Sequence, residues 1–254
     1  MQTLEMRFDE ARPVAANERS DAIGSLLPYL KHSGQILSSE FPTIREEQGW
    51  RVFVLAPEST SLSSAHHSRY VRQALDRIAA LGIEVVISNR GHDPESEDVC
   101  SCERSPWLFL FTTFISIEPP LRCGRCFGVL PHYRFATKDG EHYDLNCWQS
   151  AYQACDTLEI GSDTGERFAN REMSDPHSSL SKHGRDVCAQ YSKISGVPVY
   201  YYLYRGKGRS LASERRRSCP LCNGQWLLDA PHFLFDMKCD TCRLLSNVGW
   251  NVRL

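Results

Sequence analysis

The first ninety residues follow a hydrophobic pattern that predicts the element order strand–helix–strand–strand–helix–strand. Leu4, Met6 and Phe8 alternate with polar residues, as in a strand with one buried face. Right-handed connections would place both helices on one face of a four-stranded antiparallel sheet, so the pattern predicts a ferredoxin-like domain. The other predicted elements are a helix around 23–30, strands over 35–44 and 50–56, a helix over 70–81 and a strand over 83–87.

The rest of the chain combines helical patterns with short apolar strands. Helices are predicted over 144–158, 165–173 and 180–195, and a tyrosine-rich strand over 197–204 follows the last of them. We therefore expect an α+β protein in which a ferredoxin-like part precedes a helical and β body. Its predicted segments are 1–92 (ferredoxin-like), 93–135 (first zinc-binding module), 136–204 (helical body with a terminal strand) and 205–254 (basic linker and zinc ribbon).

Cysteine makes the composition unusual, with 11 cysteines in 254 residues. The clearest set is Cys219 and Cys222 with Cys239 and Cys242, two Cys-x-x-Cys pairs at the spacing of a zinc ribbon. Two intervening residues let both sulfurs reach one Zn²⁺ at ~2.3 Å, and a hairpin brings the second pair to the same ion. The spacing predicts a structural zinc ion.

A second set of four cysteines predicts another zinc site. It consists of Cys100, Cys102, Cys123 and Cys126. Because Cys-x-Cys is a less common zinc-binding turn than Cys-x-x-Cys, His92 and His132 are alternative ligands, although each is also typical of an ordinary loop or surface histidine. Four thiolates in each set leave no coordination position open for water, so both predicted zinc ions are structural.

Three cysteines remain outside these sets. Cys155 and Cys188 lie on apolar helical stripes and are predicted to be small core residues. Cys147 follows His142 and Asp144, so these three residues could serve as a nucleophile, a base and an orienting group. Proximity in sequence, however, does not supply the geometry that such a triad needs. A cysteine-dependent enzyme is therefore the least favoured hypothesis.

Charge is nearly balanced over the chain and concentrated in one segment. The 29 Lys and Arg against 31 Asp and Glu give a net charge of −2, which excludes a chain-wide field for nucleic acid or an anionic membrane. Positive charge gathers between residues 205 and 217, at Arg205, Lys207, Arg209, Arg215, Arg216 and Arg217. This segment is typical of phosphate contacts, with a solvated linker as the alternative. Tyr202 and Tyr204 are candidates for base stacking, unless their strand is half-buried in a sheet.

No segment predicts export or a membrane anchor. The N-terminal residues 1–9 lack the basic and apolar regions of a signal peptide. The longest apolar stretch, 107–117, is shorter than the ~20 residues of a membrane helix. We expect a cytoplasmic protein without a membrane partner, and in a reducing compartment paired cysteines favour metal binding over disulfides.

Motifs in and between the cysteine sets extend over most of the chain beyond residue 100. They are Cys123–Gly128, Trp148–Asp156, Ser179–Ser181 with Gly184, Pro198–Leu203, Cys219–Cys222, Phe235–Asp236, Lys238–Asp240 and Cys242–Leu244. Together they resemble a family of uncharacterised, zinc-ribbon-containing bacterial proteins with a suggested nucleic-acid-binding role. The resemblance implies zinc and that role, and it brings no established active site.

The leading hypothesis from the sequence is a non-enzymatic zinc-ribbon protein that binds DNA or RNA or acts as a regulatory factor. The alternative is a protein–protein adaptor that uses the ribbons and the tyrosine-rich strand as a docking surface. Zinc ribbons serve both roles, so the predicted metal does not decide between them.

Overall fold

The computed structural model describes residues 1–38, 40–47, 49–161 and 164–253. It is a mixed α+β protein that divides into two compact units, which we call unit 1 and unit 2. Unit 1 comprises residues 1–99, 117–119 and 128–143, and unit 2 comprises residues 100–116, 120–127 and 144 onward. The grouping differs from the four predicted segments, because both cysteine-rich regions belong to unit 2.

Unit 1 contains a four-stranded antiparallel sheet and two helices, with the strand order β2-β3-β1-β4. Its elements are β1 (Gln2–Glu10), α1 (Ala16–His32), β2 (Thr43–Glu46), β3 (Gly49–Ala56), α2 (Arg69–Ala80) and β4 (Ile83–His92). Two short 3₁₀ turns, Ser64–His66 and His132–Arg134, complete it. The element order is the one that the hydrophobic pattern predicts.

The core of unit 1 lies between the helices and one face of the sheet. Leu4, Met6 and Phe8 of β1 are buried there with Leu26 of α1 and Ile78 of α2. The alternation in β1 is thus the alternation between this core and the opposite face.

The predicted strand over 35–44 is wrong for most of its length. Only Thr43–Glu46 forms a strand, residues 35–38 and 40–42 are irregular, and residue 39 lies outside the described residues. Gln35 is buried and donates from its amide nitrogen to the Ser61 carbonyl at 2.7 Å, a contact that does not belong to a ladder. Pro42 lacks the N–H that a strand residue would donate.

Unit 2 contains one six-stranded sheet with the order β6-β5-β7-β10-β9-β8, in which β7 runs parallel to β5 and β10. Its strands are β5 (Leu108–Leu110), β6 (Leu121–Cys123), β7 (Val199–Leu203), β8 (Leu227–His232), β9 (Phe235–Cys239) and β10 (Leu244–Ser246). The helices are α3 (Tyr143–Gly161), α4 (Glu166–Ser174), α5 (Ser179–Ser195) and α6 (Leu211–Arg215), and a 3₁₀ turn spans Trp250–Val252. The three predicted helices correspond to α3, α4 and α5.

The tyrosine-rich strand β7 is buried on both faces. Tyr200 and Tyr202 pack in an aromatic cluster with Phe109 and Phe235, and Tyr201 contacts the other side, edge-on to Trp148. Tyr202 is only 4% exposed and donates from its hydroxyl to Asn247 Oδ1 at 2.8 Å. It has no ring face that a base can reach, which corrects the expectation of base stacking at Tyr202 and of a docking surface on this strand.

The described residues contain no helix that combines the length and the apolar character of a membrane span.

Two buried histidines make unit 1 sensitive to acid. Burial holds the pKa of His132 well below its ordinary value, and burial lowers the pKa of His142 to about 4. Their rings lie 5.5 Å apart between centroids, and both ring nitrogens of His132 are buried without a hydrogen-bond partner in the described structure. Both side chains are therefore neutral in the folded protein at pH 7.

We expect the free energy of unfolding to decrease as the pH falls from about 6.5 towards 4. In that interval the unfolded chain binds protons at these positions and the folded chain does not, which costs up to about 1.4 kcal/mol per pH unit for each histidine. Urea unfolding at several pH values measures the slope, and His132→Leu should reduce it. The exposed control His177→Leu should keep the wild-type slope; equal slopes for both variants would contradict the assignment.

Candidate metal centres

The eight predicted cysteine ligands form two separate clusters in unit 2. The first cluster is Cys100, Cys102, Cys123 and Cys126, and the second cluster is Cys219, Cys222, Cys239 and Cys242. Within each cluster all sulfur atoms lie within 4.8 Å of one another. The alternative ligands His92 and His132 belong to neither cluster as the described residues define them.

The sulfur spacing fits a tetrahedral ion in both clusters. Four thiolates at ~2.3 Å from one metal place their sulfurs about 3.8 Å apart. The sulfurs of Cys100 and Cys126 are 3.5 Å apart in the first cluster, and those of Cys222 and Cys239 are 3.6 Å apart in the second. These separations are far beyond the ~2.05 Å of a disulfide bond, and all these cysteines are free thiols. Each cluster could therefore hold one metal ion.

The three Cys-x-x-Cys turns share one backbone conformation. In each turn the residue after the second cysteine has a positive φ: 66° at Phe127, 58° at Asn223 and 54° at Arg243. This left-handed residue is uncommon outside glycine and turns the chain back toward the sulfurs. Its recurrence at three places shows that the turns are built alike. The Cys-x-Cys turn at residues 100–102 lacks it.

Backbone N–H groups point at the sulfurs and favour their ionised form. The N–H of Arg125 donates to Cys123 Sγ and that of Cys242 to Cys239 Sγ, each at 3.4 Å. The backbone N–H of Gly224 is the main cause that lowers the pKa of the Cys222 thiol to about 7. Burial opposes this effect and raises the pKa of the Cys100, Cys239 and Cys242 thiols. The thiolate, which is the form that binds metal, is thus favoured at Cys222 but not at these three positions.

Each cluster sits at the end of a hairpin strand. Strand β6 ends at Cys123, which lies opposite Leu108, and β9 ends at Cys239, which lies opposite Leu244. Because both hairpins belong to one sheet, the strand ladder fixes two of the cysteine positions. The strands formed by the apolar residues between the cysteine pairs thus determine where Cys123 and Cys239 lie.

The β8–β9 hairpin connects the second cluster to the turn of the first. At its tip, Nε2 of His232 lies 2.7 Å from the carbonyl oxygen of Gly124, and Phe233 packs edge-on against Phe127 at 5.0 Å between centroids. His232 also packs against Trp107 at 5.3 Å. Gly124 and Phe127 belong to the first Cys-x-x-Cys turn, so the hairpin that leads to the second cluster contacts the turn of the first.

The other cysteines lie outside both clusters. Cys155 and Cys188 are buried, as predicted for core residues, and burial raises the pKa of both thiols. Cys147 is partly exposed. Among the described residues, the groupings suited to a metal consist only of the two cysteine clusters.

The predicted basic segment is partly neutralised by one buried carboxylate. Glu214 is 2% exposed and lies 2.7 Å from Arg205 and 3.5 Å from Arg217. Burial alone would raise the pKa of its carboxyl group. The hydrogen bond and the charge of Arg205 outweigh burial, so the pKa is lowered. Arg217 also donates to the Asn247 carbonyl oxygen at 2.9 Å. Arg205 and Arg217 are thus part of the packing of unit 2.

The remaining predicted contacts are more accessible. Lys207 pairs with Glu166 at 3.0 Å in an exposed position, and Tyr204 is half-buried. Arg209, Arg215 and Arg216 are exposed. These three arginines are the members of the predicted set that a phosphate can reach most readily.

Sequence reasoning missed two further cations beside this segment. Arg167 and Arg171 lie on α4 and line a cavity of about 360 Å³ together with Arg205 and Lys207. Arg167 and Arg171 are four residues apart, so they lie on the same side of α4. This spacing is visible in the sequence. The position of α4 beside residues 205–207 is visible only in the structure.

Comparison with known proteins identifies related sequences, but their names state no activity. The profile of a domain of unknown function (DUF2310) matches residues 102–204, and two further domains of unknown function, DUF8589 and DUF8594, match residues 1–86 and 208–252. An "Uncharacterized protein" of Haemophilus influenzae is 36% identical over 245 residues, which covers 92% of each chain. A second one from the same organism is 42% identical over 164 residues, which covers 63% of this chain and 80% of the relative.

Proposed function

Because the chain belongs to the DUF2310 family of uncharacterised bacterial proteins, we propose its function from its own side chains: it is a non-enzymatic, cytoplasmic zinc protein that binds nucleic acid. Two structural zinc ions hold unit 2 together. Exposed arginines on the segment that follows β7 and on α4 contact phosphates.

The zinc assignment is supported by the chemistry of the donors. Each cluster offers four sulfurs and no oxygen or nitrogen ligand, a set that selects zinc or an iron–sulfur centre over magnesium, calcium or manganese. Cys-x-x-Cys turns on hairpins are the usual carriers of structural zinc. When bound, the ion supplies folding free energy and no reactive water, since four thiolates close its coordination sphere. This closed donor set supports a role other than catalysis.

The nucleic-acid assignment is supported by the arrangement of positive charge. Arg209, Arg215 and Arg216 are exposed on the segment that follows β7, and the cavity between α4 and the start of the same segment adds Arg167 and Arg171. Guanidinium groups bind phosphate oxygens in pairs and remain charged at all physiological pH values. The observation that carries this proposal is that these cations stay accessible while Arg205 and Arg217 fix the segment to unit 2.

We expect a mixed DNA or RNA pool to bind with an affinity that falls steeply with salt. Each phosphate contact contributes roughly 0.9 to the slope of log affinity against log salt on duplex DNA. The triple variant Arg209→Ala, Arg215→Ala, Arg216→Ala should therefore lower the slope by roughly 2 to 3, measured by fluorescence anisotropy. The matched control removes three exposed arginines of unit 1, Arg12, Arg45 and Arg72, and should keep the wild-type slope.

A chain that binds no nucleic acid at low salt would contradict this proposal and favour the adaptor. One observation supports that second candidate: Leu211 and Leu227 are large apolar residues that are exposed in the C-terminal part of unit 2. They line one cavity of about 550 Å³ with Arg215 and Asp229. A docking surface would then lie there instead of on β7.

For unit 1, we infer a ferredoxin-like domain. The supporting observations are its element order and its antiparallel strand order β2-β3-β1-β4, in which the first and third strands are central. Helices α1 and α2 contribute buried residues to one shared core, as helices on one face of such a sheet do.

A further inference from the structure

Strand β4 of unit 1 is a long edge strand with an open side. It is ten residues long and pairs with β1 along one side only. Among residues 1–38, 40–47, 49–161 and 164–253, no strand or bridge pairs with its other side. Such an edge presents unpaired N–H and C=O groups, and proteins usually cover it or pair it.

The charges along β4 are complementary to those of the same strand running in the opposite direction. Glu84 and Arg90 are the acidic and basic residues of the strand, and Ile87 lies midway between them. If two copies of β4 pair antiparallel with Ile87 opposite Ile87, each Glu84 lies opposite the partner's Arg90. Opposite charges placed directly across a ladder stabilise it, and like charges destabilise it.

Arg90 is able to accept such a partner. Its guanidinium donates to Glu5 at 2.5 Å, yet its side chain is 51% exposed. Glu84 is exposed as well, and both residues lie on the face of the sheet that carries Glu5. The register of β1 and β4 shifts at Arg90, so a regular ladder would end there, at the position of the proposed ion pair.

The apolar residues beside the open edge need a cover. Ile87 is 43% exposed although it lies on the helix side of the sheet, opposite Met6. It lines an apolar cavity of about 290 Å³ with Leu30, Leu75 and Val85. In the antiparallel register the partner's Ile87 would lie about 5 Å from Ile87 on the same face and close this cavity from the side.

The other edge of the same sheet offers no comparable surface. Strand β2 has only four residues, three of which are exposed. A twofold pairing through β4 alone joins two copies and then closes, since the surface pairs with itself. It therefore produces a dimer and no fibre.

We propose that two copies of this chain form a homodimer through antiparallel pairing of β4 about Ile87, which joins two four-stranded sheets into one of eight strands. The proposal does not depend on the zinc ions or on nucleic-acid binding. It adds an interaction surface to unit 1.

Sedimentation velocity of the full-length protein tests the surface. The wild type should sediment as a dimer, and Ile87→Lys, which places two like charges on the twofold axis, should weaken the dimer at least about a hundredfold. The matched control is Ile44→Lys, which makes the same change at a 50% exposed residue of β2 and should remain a dimer. A monomeric wild type, or equal dissociation constants for the two variants, would overturn the proposal.

A cysteine at the axis tests the register and does not depend on the stability of the lysine variant. With oxidised glutathione as the electron acceptor, Ile87→Cys should form a disulfide-linked dimer on non-reducing electrophoresis, because a residue opposite itself brings its two sulfurs together. Ser88→Cys, which would lie opposite the partner's Val86, should cross-link no more than the wild type. Glu84→Arg should weaken the dimer about tenfold by placing Arg opposite Arg. Equal cross-linking at positions 87 and 88 would exclude this register.

Discussion

Replacing Cys239 with serine is expected to remove the proposed zinc ions from both clusters and to unfold unit 2. Cys239 is buried at the end of β9, and serine cannot replace a thiolate ligand. Structural zinc supplies on the order of 10 kcal/mol to small zinc domains, so the loss should exceed the net stability of a unit of this size. Urea unfolding and the zinc content of the purified variant measure the two effects.

The control for this variant is Cys147→Ser, which makes the same chemical change at a partly exposed cysteine outside both clusters. It should retain the zinc content and stability of the wild type. The effect of Cys239→Ser on the first cluster follows from the β8–β9 hairpin, whose His232 and Phe233 contact Gly124 and Phe127. A variant that kept a full first cluster and a folded β5–β6 hairpin would show that the two clusters are independent.

Gly184→Ala should destabilise unit 2 by about 3 kcal/mol, because one methyl group has no space there. Gly184 lies inside α5, and a Cβ at this position would overlap the ring of Tyr201 and come within 2.5 Å of Trp148 Nε1. Both rings are fully buried, so neither can move aside at low cost. Helix α5 approaches β7 closely because this residue has no side chain.

Glycine to alanine at position 24 should instead increase the free energy of unfolding. Gly24 is an exposed residue inside α1, and a Cβ there would meet no atom within 4 Å. Alanine in a helix interior is more favourable than glycine by roughly 0.5–1 kcal/mol. Urea unfolding of both variants gives the comparison, and a destabilised Gly24→Ala or a neutral Gly184→Ala would contradict the packing described here.

The two cysteine clusters could be predicted from sequence because their signal is local. Two residues between cysteines restrict both sulfurs to one turn, and the structure groups the same eight residues into two clusters. The contact between the hairpin tip and Gly124 could not be predicted, since it joins residues 108 positions apart. The hydrophobic pattern of the sequence does not indicate which distant turn the tip of a hairpin will contact.

The sequence of the tyrosine-rich strand contains a signal for its burial on both faces. Residues 197–204 form a nearly continuous apolar run, which is typical of a central parallel strand covered on both faces, whereas a half-buried strand alternates. Strand β7 does lie between two parallel neighbours. The base-stacking hypothesis treated aromatic composition as exposure, and composition carries no information about which faces are covered.

The charge of residues 205–217 shows a similar limit. Counting charges gives one acid among six basic residues, but it does not reveal that this acid is buried between Arg205 and Arg217. The spacing of three residues from Glu214 to Arg217 could have indicated a local pair. The pairing with Arg205 depends on how the segment folds back, which only the structure specifies.

Zinc-edge X-ray absorption of the freshly purified wild-type protein tests the central claim most directly. We expect an edge height equal to two zinc ions per chain and a first shell of four sulfurs at ~2.3 Å, without nitrogen or oxygen. A folded protein with no zinc edge, or a shell that contains light-atom ligands, would contradict two closed four-cysteine centres.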